Sequence, residues 1–170
     1  IWLIVISMLI IAAYTTAVCI KQKGIPYSIS ATFYAIEHKG WFRFTMWACP
    51  MVLMPAILEV SKPGTEFLAY LALAGMIVVG CFPDYKADKF QYRGHIAGAM
   101  MAILFSQTWV ALNFWPMLLA WLPYVSYTAL NMAKQEEGTF KDKYIKTKPM
   151  FWIEIFSFGV IYLICLMLRI

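Results

Sequence analysis

The chain has 170 residues, a formal net charge of +5, 62% hydrophobic residues and 14% charged residues, with mean hydropathy +0.69. Soluble domains carry about 45–50% apolar and about 25% charged residues, so water alone cannot be the solvent of this fold, and the length fits one domain. The basic residues lie in short loops between apolar runs, which points to anionic headgroups and away from nucleic acid.

A hydrocarbon core of about 30 Å takes about 20 apolar residues in helical form. Six segments qualify, at 1–20, 41–59, 65–82, 94–113, 115–133 and 150–168. Backbone polar groups in lipid must be satisfied within their own segment, so these are read as helices. The expected fold is therefore an all-α integral membrane protein, a single transmembrane domain over 1–170 built as an up-and-down bundle of six transmembrane helices. Ile1 is already inside an apolar run and is not Met, so we expect residues upstream of it; 1–20 lacks a small-residue cleavage site and reads as a retained helix.

The first loop, 21–40, contains Ile29, Phe33 and Ile36 at helical spacing, with Pro26 before and Gly40 after. His38 and Lys39 in its last turn fit a helix C-terminus. At about three turns this segment is too short to span, and it is expected to be a short interfacial amphipathic helix over 28–39. Pro50 and Pro55 should bend the second helix, and Pro123 the fifth. Ser61-Lys62-Pro63-Gly64 is a tight turn, and Phe114-Trp115-Pro116 joins the fourth and fifth helices almost without a loop.

Loops 21–40, 83–93 and 134–149 then fall on one side. Twelve of the fourteen Lys and Arg residues lie on that side, against Lys62 and Arg169 on the other. Such a bias places the long loops in the cytoplasm and both termini outside.

Gly94, Gly98 and Ala102 form a small-residue face on the fourth helix, suited to close approach by another membrane protein, a second copy, or the third helix through Ala69, Ala72, Gly75 and Gly80. Polar groups at membrane depth cost a few kcal/mol and often mark function. Arg43, Asp84, His95, Asn131 and Glu154, from five helices, should converge on the long-loop side. Asp84 and His95 are expected to act as a proton-sensitive latch; an acid–base pair, or a His95 that ties down the 83–93 loop, are the alternatives. Glu154 is expected to pair with a nearby Lys or Arg, a buried proton carrier being the alternative.

Along the fourth helix, His95, Ala102, Ser106 and Asn113 share a stripe, with Gln107 to one side. Ser106, Gln107 and Asn113 thus make either a polar track through the membrane or a set of interhelical hydrogen bonds. Four separated cysteines and two histidines form no zinc, haem or disulfide signature, and no HExxH, GxSxG or phosphate-binding loop occurs, so neither a metal, a cofactor nor a catalytic set is expected.

Two stretches carry a resemblance. Pro26-Tyr27-Ser28-Ile29-Ser30-Ala31-Thr32 after the first helix, and Phe82-Pro83-Asp84 followed by His95-Ile96-Ala97-Gly98-Ala99, resemble motifs of the Frag1/DRAM/Sfk1 group of six-helix membrane proteins and its bacterial relatives. Ala31 stands where that group carries an acidic residue. The resemblance implies work on membrane lipids, and for its eukaryotic members a first loop outside the cytoplasm; for this chain we follow the charge count. The leading expectation is a protein that binds, senses or redistributes membrane lipid. Ser28, Ser30, Arg43, Asp84, His95, Asn131 and Glu154 would contact a lipid headgroup, Arg43 holding phosphate. A proton-linked channel or transporter along the fourth helix, and a non-catalytic subunit of a larger membrane protein, are the rival classes.

Overall fold

A computed structural model describes residues 1–169. Within them the chain is all-helical: α1 (Trp2–Lys21), a 3-10 helix (Ser30–Tyr34), α2 (Gly40–Val60), α3 (Glu66–Cys81), α4 (Lys89–Phe114), a second 3-10 helix (Trp115–Ala120), α5 (Trp121–Ala133), α6 (Phe140–Lys146) and α7 (Pro149–Met167). Four helical stretches are long and apolar enough to cross a membrane: Trp2–Lys21, Gly40–Val60, Lys89–Ala133 and Pro149–Met167; Glu66–Cys81 is apolar but shorter. Only 33% of the α1 window is buried, and 28% of the Lys89–Ala133 window. Leu9, Met51, Leu104, Leu122 and Leu163 are each half exposed or more. Outward faces this apolar need hydrocarbon beside them, as expected of a multi-pass membrane protein.

Local chemistry accounts for most of the boundaries. Asp88 caps α4 by accepting from the amides of Phe90 (2.7 Å) and Gln91 (2.8 Å). Thr139 and Asp142 form a reciprocal capping box on α6. Pro149 opens α7, where its missing N–H is no loss. Gly64, at φ +85°, supplies the left-handed residue in the turn between α2 and α3.

The run from Lys89 to Ala133 is not straight. The backbone leaves helical geometry at Phe114 (φ −153°, ψ 68°). Beyond it Trp121 Nε1 reaches back to donate to Gln107 Oε1 at 2.9 Å. Fourteen residues of continuous helix would set these residues about 21 Å apart along the axis, so the chain has reversed. The expected bend at Pro123 is absent in that form: Pro123 lies in the first turn of α5, where its ring is tolerated, and the break precedes it. α2 continues as one helix through Pro50 and Pro55.

α3 and α4 approach most closely. A Cβ added to Gly75 would stand 2.5 Å from Ala102 N and 2.7 Å from Gly98 O; one added to Gly98 would meet Gly75 O at 2.9 Å. A Cβ at Gly94 would strike the Phe82 ring at 2.5 Å. The small-residue face at Gly94, Gly98 and Ala102 is thus covered by α3 and the residue that follows it, within the same chain. Trp109, Phe42, Ile4, Ile57 and Ile164 fill the core around this pair.

Segment 28–39 departs from its expected form. Only Ser30–Tyr34 is helical, as a 3-10 turn, and Ile29 and Phe33 are buried in the main core. Ser28 Oγ accepts from Ala31 N (2.9 Å), the Tyr14 and Thr32 hydroxyls pair at 2.6 Å, and Lys39 Nζ donates to Phe33 O. Those side chains offer the backbone an alternative to a regular helix, and the segment plugs the bundle end rather than lying along the lipid surface.

Candidate functional site

The plug is held by α7. Glu154, one turn into that helix, accepts from the Ile29 amide and from Ser30 Oγ (3.3 Å). Phe151 N donates to Tyr27 O at 3.1 Å beside it. The carboxylate therefore sits at the N-terminal end of the 3-10 helix, where unpaired amides favour an anion. This corrects the expected pairing of Glu154 with a Lys or Arg: backbone and serine donors occupy the position instead.

Asp84 and His95 are both brought near this loop, with no hydrogen bond between them. Tyr34 Oη donates to Asp84 Oδ1 (3.0 Å) and accepts from Lys86 N (2.8 Å). Burial above all, with Asp84 next to it, pushes the Tyr34 phenol up to about 12. His95 is buried, with Nδ1 2.8 Å from Phe82 O and its ring 4.6 Å from that of Tyr85. The geometry is that of a residue tying down the loop after α3, with no Asp84–His95 hydrogen bond. Burial, and after it the Glu154 charge, raise the Tyr85 phenol above its ordinary range, which links the His95 and Glu154 ends of the rim.

The remaining rim residues lie apart. Arg43 is exposed in the first turn of α2. Asn131 donates to Tyr127 O (2.8 Å) and borders a separate surface pocket with Lys134, Lys146, Lys148 and Trp152. Thus Ser28, Ser30, Asp84, His95 and Glu154 surround the docked first loop, while Arg43 and Asn131 do not join them.

Behind the plug lies a cavity of about 70 Å³ between α2, α3, α4 and α7. Ile29, Ser30 and Glu154 border it at the loop end, and Ser106, Ser157 and Tyr162 are the other polar residues in a wall of Met, Leu, Ala, Val, Ile and Phe. Ser106 donates to Ile103 O (3.0 Å), in the usual manner of a helix serine. Ser157 is only 5% exposed, and its hydroxyl has no hydrogen-bond partner.

The other members of the fourth-helix stripe are spent on the protein itself. Asn113 Oδ1 accepts from Lys62 N (2.7 Å), and its Nδ2 donates to Trp109 O (2.9 Å) and Thr65 Oγ1 (3.0 Å). Gln107 holds Trp121. Both ends of the His95–Asn113 stripe are therefore closed by direct contacts.

A buried cluster was missed by the sequence reading. Ser7 Oγ donates to Cys49 O (2.8 Å) and lies 2.7 Å from Tyr162 Oη, which is 2.9 Å from Cys49 Sγ. It joins α1, α2 and α7, and Tyr162 carries it to the cavity wall. The available signal was the placing of Ser7 between the apolar runs 1–6 and 8–13, and of Tyr162 between 158–161 and 163–168. All four cysteines are free thiols. Among the described residues no three His, Cys, Asp or Glu side chains converge as a metal site. Set against known proteins, the chain matches no family model, no curated protein and no solved structure.

Proposed function

We propose that this chain binds a membrane lipid in the cavity between α2, α3, α4 and α7, with the lipid's polar end toward Glu154 and Ser30 and its chain against the apolar wall. The observation that carries this reading is the pairing of an apolar void inside the helix bundle with a carboxyl group at its loop end. Ligand sites combine such a wall with a few fixed polar groups that set orientation. The resemblance drawn from the Pro26–Thr32 and Phe82–Ala99 stretches implies the same area of chemistry.

On this reading the chain crosses the bilayer six times. The reversal at Phe114 supports separate crossings by α4 and by the Trp115–Ala133 stretch; the latter, six 3-10 residues and thirteen α residues, is roughly 31 Å long. α3, with sixteen residues and roughly 24 Å, crosses with its flanking turns. The basic loops face the cytoplasm, and the Glu154 end of the cavity opens toward that leaflet.

Lipid retained through detergent purification, identified by mass spectrometry, tests the reading. A protein carrying Ser106→Phe, which fills the void from α4, should keep its helical content and elute as wild type does, yet lose the retained species. Equal lipid content in both proteins would remove the cavity as the site.

A further inference from the structure

Resting on that reading, the composition of the cavity wall narrows the class of lipid. We infer that the site takes a neutral, single-chain lipid whose polar end is a hydrogen-bond-donating hydroxyl, of the monoacylglycerol or long-chain alcohol kind, and rejects a phosphate-bearing one.

The first ground is the polar inventory. One carboxylate, three serines and one tyrosine border the void, and no Lys, Arg or His does. A phosphate seated there would lie beside the Glu154 carboxyl with no cation to offset its own charge, in surroundings too apolar to screen it. An alcohol meets the opposite situation, because it brings no charge and its O–H can donate to a carboxyl oxygen.

Ser157 supplies the second ground, independent of charge. A helix serine normally returns its hydroxyl to a carbonyl one turn back, as Ser106 does; Ser157 leaves its own without a partner while almost wholly buried on the cavity wall. The hydroxyls of Thr15 and Thr128 are also unpaired, but neither borders this void. A buried hydroxyl is both donor and acceptor, which suits a second hydroxyl on the ligand.

Size gives the third ground. About 70 Å³ is the room of roughly two or three water molecules, far below what two acyl chains need, so that even one chain enters only as the wall widens. Met46 and Met76, unbranched and flexible, border it and allow modest widening.

The test compares two probes that share glycerol and an oleoyl chain and differ by the phosphate: monooleoylglycerol and oleoyl lysophosphatidic acid. Binding to the full chain in detergent or nanodiscs would be titrated by native mass spectrometry or thermal shift. The expected result is monooleoylglycerol at least tenfold tighter, weakened several-fold by Ser157→Ala and lost in Ser157→Phe. Ser106→Phe, from the facing helix, repeats the blocking test should Ser157→Phe not elute as a folded protein. Lysophosphatidic acid binding equally well or better, and blocked by the filling variants, would overturn the ligand class and leave the cavity standing. Binding of neither probe, or binding indifferent to the filling variants, would overturn both.

Discussion

The two ends of the bundle solve the same problem with different residues. At the α2–α3 turn, the neutral amide of Asn113 accepts from Lys62 N and donates to Trp109 O and Thr65 Oγ1, and Trp109 Nε1 adds a bond to Ser61 Oγ at 2.8 Å. At the opposite end the Glu154 carboxylate accepts from Ile29 N and Ser30 Oγ. Both pin a loop to a helix. Asn113 is enclosed and its partners are all protein, so its chemistry ends there. Glu154 borders a void and stands one turn from an unpaired Ser157 hydroxyl. A buried polar residue is thus not by itself a functional mark: what separates these two is that one borders a void and the other does not.

That contrast can be broken or sharpened by measurement. The largest effect belongs to neither end but to the α3–α4 contact between them. Gly75→Val should destabilise by about 3 kcal/mol, since its Cβ meets backbone atoms that cannot rotate away. Gly159→Ala, with nothing within 4 Å of the added carbon, should be neutral or stabilising by up to about 1 kcal/mol. Thermal unfolding in one detergent measures both, and equal losses would refute the close approach.

Next in size, Asn113→Ala should cost about 1–2 kcal/mol by leaving the Lys62 amide unpaired. Glu154→Gln keeps an acceptor for the first loop, so it should cost less than about 1 kcal/mol while altering lipid retention. If Asn113→Ala altered lipid retention and Glu154→Gln did not, the comparison would be inverted.

A smaller effect concerns the docked loop. Tyr34 has its phenol raised to about 12 against an ordinary value near 10, chiefly by burial. A folded value above the unfolded one means that this contribution to docking is complete below pH 10 and fades as pH rises from 10 toward 12. Tyrosinate absorbance, compared between wild type and Tyr34→Phe, should differ by one phenol ionising near pH 12; a difference centred near pH 10 would contradict the buried position.

The smallest effect is expected at Lys21 and Glu37, an exposed ion pair at 2.9 Å. The Lys21 ammonium holds the Glu37 carboxyl below its ordinary range, so any contribution is present above the ordinary carboxylate value and fades as pH falls through the lowered one. Solvent screens such pairs, and Lys21→Ala should leave the unfolding midpoint unchanged within error.

Much of the architecture was legible from one-dimensional information. Apolar runs of bilayer length predicted helices whose bounds mostly agree within one or two residues, such as 150–168 against Pro149–Met167. α4 and α5 are the exceptions: α4 begins at Lys89 because Asp88 caps it ahead of the apolar run, and the first six residues of the expected 115–133 helix, Trp115–Ala120, are 3-10 in form. Segment 28–39 misled, because its helical spacing of Ile29, Phe33 and Ile36 equally serves a compact plug whose backbone bonds go to side chains.

Hydropathy and charge spacing by themselves determined that the chain is helical, that its outer surface is apolar, and that its ionisable groups gather near chain turns. Those properties follow from the solvent each residue needs, and solvent preference is carried by composition. Only the tertiary structure decided that Glu154 meets Ile29, that α3 covers Gly98, that Ser7 finds Tyr162, and that a void adjoins Ser157. Each of these depends on which face of a helix meets which neighbour, and in helices apolar on nearly every side the pattern of residues does not distinguish one face from another.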